Sequence, residues 1–428
     1  MARFWALVLA LLTVGACAPG AYYQGRQLLA SGAYEEATAA FQRELSGNPL
    51  SAAAWREAGV ARYHLGRHAA ADSALAEAAR LGPDERTRLY QGLVREALGD
   101  QGAALGFFRQ VLASRPDRET RRLAHLRFET LVRQRAERLA QDALAAERDG
   151  RFTGPPDNTI AVVAFDGADL PAELAPLARG LAEFLALDLG KIASLRVVER
   201  LQIEQLIREL ALANSDLADP DTRLRTGRLL GSRRVVTGSL QAPGNGRLEA
   251  YSALADVVAA ESRDLDGVTG DESGFFRLEK DLVFDIIDDL GITITAAERD
   301  AIQKVPTESF TAVLAYSRGL LFHEQGRYAE AAAEFQKAHQ ADGGFQEAGV
   351  MAEMTGDVAL ATATGAAPGP GTGTSADEQS ARLLTALQGE SGIMPTFLGT
   401  DAGGPPDTAP PRTGAVTGVR IIVGGDFR

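Results

Sequence analysis

The chain has 428 residues, enough for two to three domains, and 57 acidic against 44 basic residues leave a net charge of −13. That balance argues against a nucleic-acid partner, which needs clustered Lys and Arg. A hydrophobic fraction of 45% excludes wholesale disorder, while one cysteine and five scattered histidines argue against a disulfide, a zinc site or a histidine cage, so no metal or cofactor is expected.

At the start, Arg3 supplies a positive charge and Phe4 to Leu12 (FWALVLALL) an apolar run. The run is too short for a membrane span, which takes about 20 residues, and fits the apolar region of a secretory signal. Val14-Gly15-Ala16-Cys17 then brings small residues up to the lone cysteine. This resembles the lipobox of bacterial lipoproteins, with Val14 where leucine is commoner. The resemblance implies a signal peptide over 1–16 and acylation of Cys17, with several acyl chains holding the protein to the lipid bilayer. Ala18 in place of Asp implies, by that family's sorting rule, the periplasmic face of the outer membrane. An ordinary signal cut near Ala16, leaving Cys17 a thiol, stays open.

From residue 20 to 116 the sequence repeats. Gly25 and Gly59, Gly32 and Gly66, Ala37 and Ala71, and Pro49 and Pro83 are each 34 residues apart. A third copy carries Gly92, Gly99, Ala104, Phe108 and Pro116, and a fourth stands alone with Gly319, Gly326, Tyr328, Ala331, Phe335 and Ala338. The period and residue set resemble the tetratricopeptide repeat. Small residues let two helices cross closely, Gly32 and Gly66 turn the chain between them, and prolines stop the second helix. In the fourth copy Gly343 replaces that proline, which predicts a less sharply ended helix. The resemblance implies protein or peptide binding on the concave face at Tyr22, Arg26, Arg56, Tyr63 and His64, and at Tyr316 and His323 in the late copy. A merely solvated role for these residues stays equally open.

Residues 118–149 hold no Gly or Pro, and arginines interleave with acids over Leu123, Leu131 and Leu139. They predict one or two solvated, salt-bridged helices. After the breakers at 153–158, Ile160 to Phe165 is a buried strand. A helix follows from Pro176, with Leu177, Leu181, Phe184, Leu185, Leu189 and Ile192 on one face. Leu195 to Glu199 is a second strand, and Ile203, Leu206, Ile207 and Leu210 mark a second helix. Asp219-Pro220 starts a third helix, ended by Gly231. Strands follow at Val235 to Leu240 and, past an Asn245-Gly246 turn, at Leu248 to Val257. One short strand around Arg263 to Val268 and a helix with Phe275, Leu282, Val283, Ile286, Ile287 and Leu290 inward complete a mixed sheet covered by helices.

The stretches IAVVAF, LARGLAEFLALDL, LRVVER, ADPDT and GRLLGSRRVVTGSL resemble the curli-secretion lipoprotein (CsgG) family, with Val198-Glu199-Arg200 and Thr237-Gly238-Ser239 the most recognisable fragments. The fold is similar to the TolB amino-terminal domain. One departure stands out: the family's channel uses two long membrane hairpins per subunit, whose strands need about 9–11 alternating residues. The connections here are short, which argues against a pore.

Other motifs carry little. Gly180 to Lys191 lacks phosphate-loop spacing, and His64 and His68 are separated by the helix break at Gly66. Asp264-Leu-Asp266-Gly267 reads as a turn between strands, and Asp285, Asp288 and Asp289 as the solvated side of the last helix. No nucleophile motif occurs, so no enzyme is expected.

The expected layout is multi-domain: a signal peptide (1–16), an α-helical tetratricopeptide-repeat array (17–117), a helical linker (118–152), a mixed α/β domain like CsgG and TolB-N (153–292), a helical region with one repeat (293–361), a Gly/Pro-rich linker (362–415) with one short helix near 377–387, and a terminal strand (416–428). The expected function is a non-enzymatic lipoprotein scaffold binding envelope proteins or peptides in secretion or assembly, with the central domain as an oligomerisation or docking surface. Activation of a peptidoglycan synthase or other envelope enzyme stays open as the alternative.

Overall fold

A computed structural model describes residues 20–114, 116–151 and 154–363. Cys17, the linker from residue 364 onward, the short helix near 377–387 and the terminal strand lie outside the described residues. The described chain forms two compact units that divide between Phe128 and Glu129.

The first unit is three helical hairpins and the start of a longer helix. They are α1 (Ala21–Ala30) with α2 (Tyr34–Gly47), α3 (Ala52–His64) with α4 (His68–Leu81), and α5 (Glu85–Ala97) with α6 (Gln101–Ala113). Each hairpin closes on one contact. A Cβ added to Gly25, Gly59 or Gly92 would lie 2.6–2.7 Å from Phe41, Leu75 or Phe108, the residue sixteen positions downstream. The glycine is what lets the two helices touch. Gly32, Gly66 and Gly99 turn each hairpin at φ of 78°, 71° and 83°, a left-handed conformation that a Cβ penalises. Ser51, Asp84 and Asp100 cap the next helices, accepting from the amides of Ala54, Thr87 and Ala103.

The linker is one helix, α7 (Arg118–Arg148), 31 residues long. It is less solvated than its charges suggest. Leu123 and Leu131 are buried, but so are His125, Arg127 and Glu129, while Leu139 is exposed. Buried Arg127 is held by Glu96.

The second unit centres on a six-stranded mixed sheet: β1 (Thr159–Val162), β2 (Arg196–Val197), β3 (Arg234–Gly244), β4 (Arg247–Asp256), β5 (Glu261–Asp264) and β6 (Val268–Asp271). The strand order is β2-β1-β3-β4-β5, with β6 also on β4. β1 is parallel to β2 and β3, and the other pairs are antiparallel. Two strands stand where one was expected near residues 263–268. Asp264 to Gly267 turns the chain between β5 and β6, and the two strands share the free edge of the longer β4.

Helices α8 (Leu177–Leu189) and α11 (Phe275–Asp289) cover one sheet face, with Ile160, Val162, Val236 and Leu254 beneath them. Helices α9 (Arg200–Glu209) and α10 (Pro220–Leu230) cover the other, over Ala161, Val163, Val235 and Ala255. α10 begins as its sequence signals: Asp219 accepts from the Thr222 amide, Pro220 opens the helix, and Gly231 ends it at φ 61°. After α12 (Ala296–Ile302) come the late repeat, α13 (Phe310–Glu324) and α14 (Tyr328–Ala341), and then α15 (Gln346–Ala363). The expected blunt end of α14 does not occur. Asp342 stops it by accepting from the Thr307 hydroxyl at 2.5 Å and the Gly344 amide at 2.8 Å, doing what proline does elsewhere.

Candidate protein-binding faces of the repeats

In the first unit the face carried by α1, α3 and α5 gathers the residues that the sequence singled out. Tyr22, Arg26, Arg56, Tyr63 and His64 are all half-buried. Arg56 lies 3.0 Å from Glu57 and also pairs with Asp84, while Arg86 lies 3.4 Å from the second Glu57 oxygen. Glu57 is therefore the buried centre of an ion-pair chain, only 2% exposed. Beside it, His64 stacks on Tyr34 at 4.7 Å and meets the edges of Tyr63 and Tyr90 at 5.4 and 6.4 Å. Burial, then the nearby Arg86 guanidinium, lowers the His64 pKa to about 4, so the ring is neutral at pH 7. Burial and then Glu57 raise the Tyr22 phenol.

Such a face can do one thing well. Half-buried ring faces accept apolar side chains, and guanidiniums already oriented by carboxylates donate to backbone carbonyls or acidic groups of an extended segment. Sequence reasoning missed Glu57, Arg86 and Tyr90. Glu57 adjoins Arg56, and a Glu beside an Arg on a surface helix gives no signal that it will be buried.

The late copy is different, and here the expectation of a binding face is corrected. Tyr316 is 2% and His323 3% exposed. The face is occupied by the protein's own α8. Phe184 stacks on Tyr316 at 5.5 Å and 26°, and Phe335 and Phe345 enclose the ring at 5.2 and 4.9 Å. Gly180 faces Ser317 so closely that an added Cβ would collide with it.

At the end of α13, Glu324 pairs with both Arg179 and Arg200, and Arg200 is also 3.0 Å from Glu183. Arg200 comes from the recognisable Val198-Glu199-Arg200 fragment. His323 sits 3.4 Å from Glu129, and its carbonyl accepts from Arg133 at 2.9 Å. Burial drives its pKa down to about 4. Buried ion pairs cost desolvation, and removing one partner strands the other charge. The network therefore locks α8 and α9 onto α13.

A second buried cluster joins α8 to α11. Lys280 pairs with Asp188 and lies 2.9 Å from Glu279, and Lys191 reaches Asp188 at 2.6 Å. Glu279 is fully buried; burial, then the neighbouring Asp188 charge, raises its pKa to about 8. It lies behind Lys280, which lines a cleft beside the start of α11. Among the described residues no group of three or more His, Cys, Asp or Glu is placed to hold a metal ion. His64 and His68 lie on successive helices either side of Gly66. Asp285 and Asp288 are exposed, and Asp289 pairs with Arg263.

The family model for the curli production assembly/transport component CsgG matches residues 159–246, from β1 through the turn after β3. The tetratricopeptide repeat model matches residues 22–86 and 297–344. The chain carries tetratricopeptide repeats and a CsgG-like α/β domain. Among solved structures it is similar to a tetratricopeptide repeat protein from Parabacteroides merdae ATCC 43184, at 13% identity and a TM-score of 0.24, over 78% of this chain and 97% of that one. It is also similar to yeast Tom70, at 13% identity and a TM-score of 0.24, over 79% of this chain and 66% of that one. No curated protein matches it. Repeats of the matched kind serve protein interaction, and the CsgG-like match points to envelope processes.

Proposed function

We propose that the protein is a non-enzymatic scaffold tethered through acylated Cys17 to the outer membrane on its periplasmic side. There it holds a segment of another envelope protein during secretion or assembly. The observation that carries this reading is the first repeat face, whose rings and guanidiniums are ordered but only half-buried. The late repeat is spent on bracing the α/β domain, so the partner is assigned to Tyr22, Arg26, Arg56, Tyr63 and His64. A pore of the protein's own is not part of the reading: β3 and β4 are joined by the tight Asn245-Gly246 turn, without long hairpin extensions.

The test places a photo-crosslinking residue at position 63 or 316 in the full chain in cells, with Cys17 intact or changed to Ala. Discrete adducts from position 63 only, and release of the Cys17→Ala protein from the membrane fraction, are expected. Adducts from neither position, or an unchanged membrane fraction, would overturn the binding or the anchoring half respectively.

A further inference from the structure

The second recognisable fragment, Thr237-Gly238-Ser239, has no part in the repeats. It lies on β3 and floors a cleft of about 360 Å³ on the sheet face beyond the end of α10. The size is within the range of about 300–1,000 Å³ usual for small-ligand sites. The cleft arises because α9 and α10 cover only part of that face, leaving Thr237, Ser239, Tyr251 and Ala253 uncovered by a helix. Its walls are the segment Asn214–Ala218, the first turn of α10 and the end of β5.

Arg223 is the telling residue. It is 5% exposed and lines the cleft, yet its Nε–H is buried without a hydrogen-bond partner. Its charged neighbour Asp264 is 3.7 Å away, beyond hydrogen-bonding distance, with a side chain 88% exposed. That Nε–H is sealed inside the protein, but the rest of the guanidinium makes no hydrogen bond to the described residues and has donors left for an acceptor in the cleft.

The rest of the lining says what kind of acceptor. Asp166 and Asp264 outnumber Arg223, so an anion would meet net repulsion. The groups instead alternate: Arg223 and the Asn214 amide donate, the two carboxylates accept, and the hydroxyls of Thr237 and Ser239 do both. Tyr251 adds an aromatic surface 43% exposed. Its ring rests on Gly267, where a Cβ would come within 2.6 Å of it, so the glycine sets the position of the ring. Donors, acceptors and a half-open ring together suit a neutral, rigid ligand that carries adjacent hydroxyls on an apolar frame.

We infer that this cleft binds a saccharide ring, whose hydroxyls satisfy Arg223 and the two aspartates while its C–H face lies on Tyr251. The site is independent of the repeat face and stands whether or not that face binds protein.

The test titrates the full chain, Tyr ring-labelled for NMR, with glucose, N-acetylglucosamine and their β1,4-linked disaccharides, with acetate and inorganic phosphate as anion controls. Saturable shifts of the Tyr251 ring with at least one sugar are expected, with affinity lost at least ~tenfold in Arg223→Gln and in Tyr251→Ala. No saturable shift with any sugar, or tighter binding of acetate or phosphate, would overturn the inference. If Arg223→Gln fails to fold, Tyr251→Ala decides alone, since its ring is on the surface; unchanged sugar affinity there would also overturn it.

Discussion

Tyr22 and Tyr316 hold the same place in their repeats, three residues before the glycine on which the hairpin closes. Both rings meet the same phenylalanine of the partner helix, Phe41 at 6.1 Å and Phe335 at 5.2 Å. Tyr22 stays half-buried, whereas Tyr316 is enclosed by Phe184 and Phe345. The next pair of positions, four residues after the glycine, repeats the contrast: Tyr63 is half-buried and His323 fully buried. One motif thus serves two purposes. What packs on its inner face decides whether it stays open or becomes a structural brace.

The largest expected effect is at the tyrosines. Tyr316→Ala should cost about 3–5 kcal/mol, as for a large buried aromatic, and Tyr22→Ala no more than about 1 kcal/mol. Urea unfolding followed separately in each unit would measure this, and equal losses would remove the distinction. The ion pairs should divide the same way. Glu324→Gln removes the buried carboxylate shared by Arg179 and Arg200, leaving them only Glu204 at 3.9 Å and Glu183 at 3.0 Å, and should cost about 3 kcal/mol. Arg86→Gln, at a looser and more exposed pair, should cost about 1 kcal/mol or less.

Acid should act on both faces. His64 and His323 have native pKa values of about 4, below the ordinary 6.5. The unfolded chain therefore takes up protons first, and the stability from keeping each ring neutral is full above pH 6.5 and lost as pH falls toward 4. The loss is about 3 kcal/mol per histidine at pH 4. His64→Gln should flatten that slope for the first unit alone, as read from chemical denaturation between pH 4 and 7.

Glu279 has the opposite sign. Its pKa is raised to about 8, so stability is full below the ordinary 4.5 and declines as pH rises through 8. Glu279→Gln should raise the Tm at pH 8.5 relative to the unaltered protein; a lower Tm there would show that the buried charge is favourable. Gly180→Ala should cost about 1–3 kcal/mol through the overpacked crossing of α8 on α13. The same change at the solvent-facing Gly106 should be neutral or slightly stabilising.

Much of the fold was legible in the residues because local rules fix it. A glycine every 33 or 34 residues with a large apolar residue sixteen positions on marks a closing hairpin, and Asp219-Pro220 with Gly231 bounds a helix. The small strands were less legible. β5 and β6 are four residues each, with exposed or half-buried side chains, so no apolar alternation announces them; only the free edge of β4 calls them into being. The residues singled out in the first repeats do gather on one face, but nothing in them told an open face from the covered late one, since Tyr316 and His323 match the same pattern.

The repeats, their turns, the helix caps and the alternation of strands and helices follow from the residues alone, because each depends on neighbours within a few residues or one repeat length. Which repeat face is covered, that Arg200 and Glu324 meet across 124 residues, and that Arg223 lines a cleft follow from the tertiary arrangement alone. Those outcomes rest on desolvation and on partners distant in the chain. A side chain's charge or size does not reveal whether it will be buried, paired or left open.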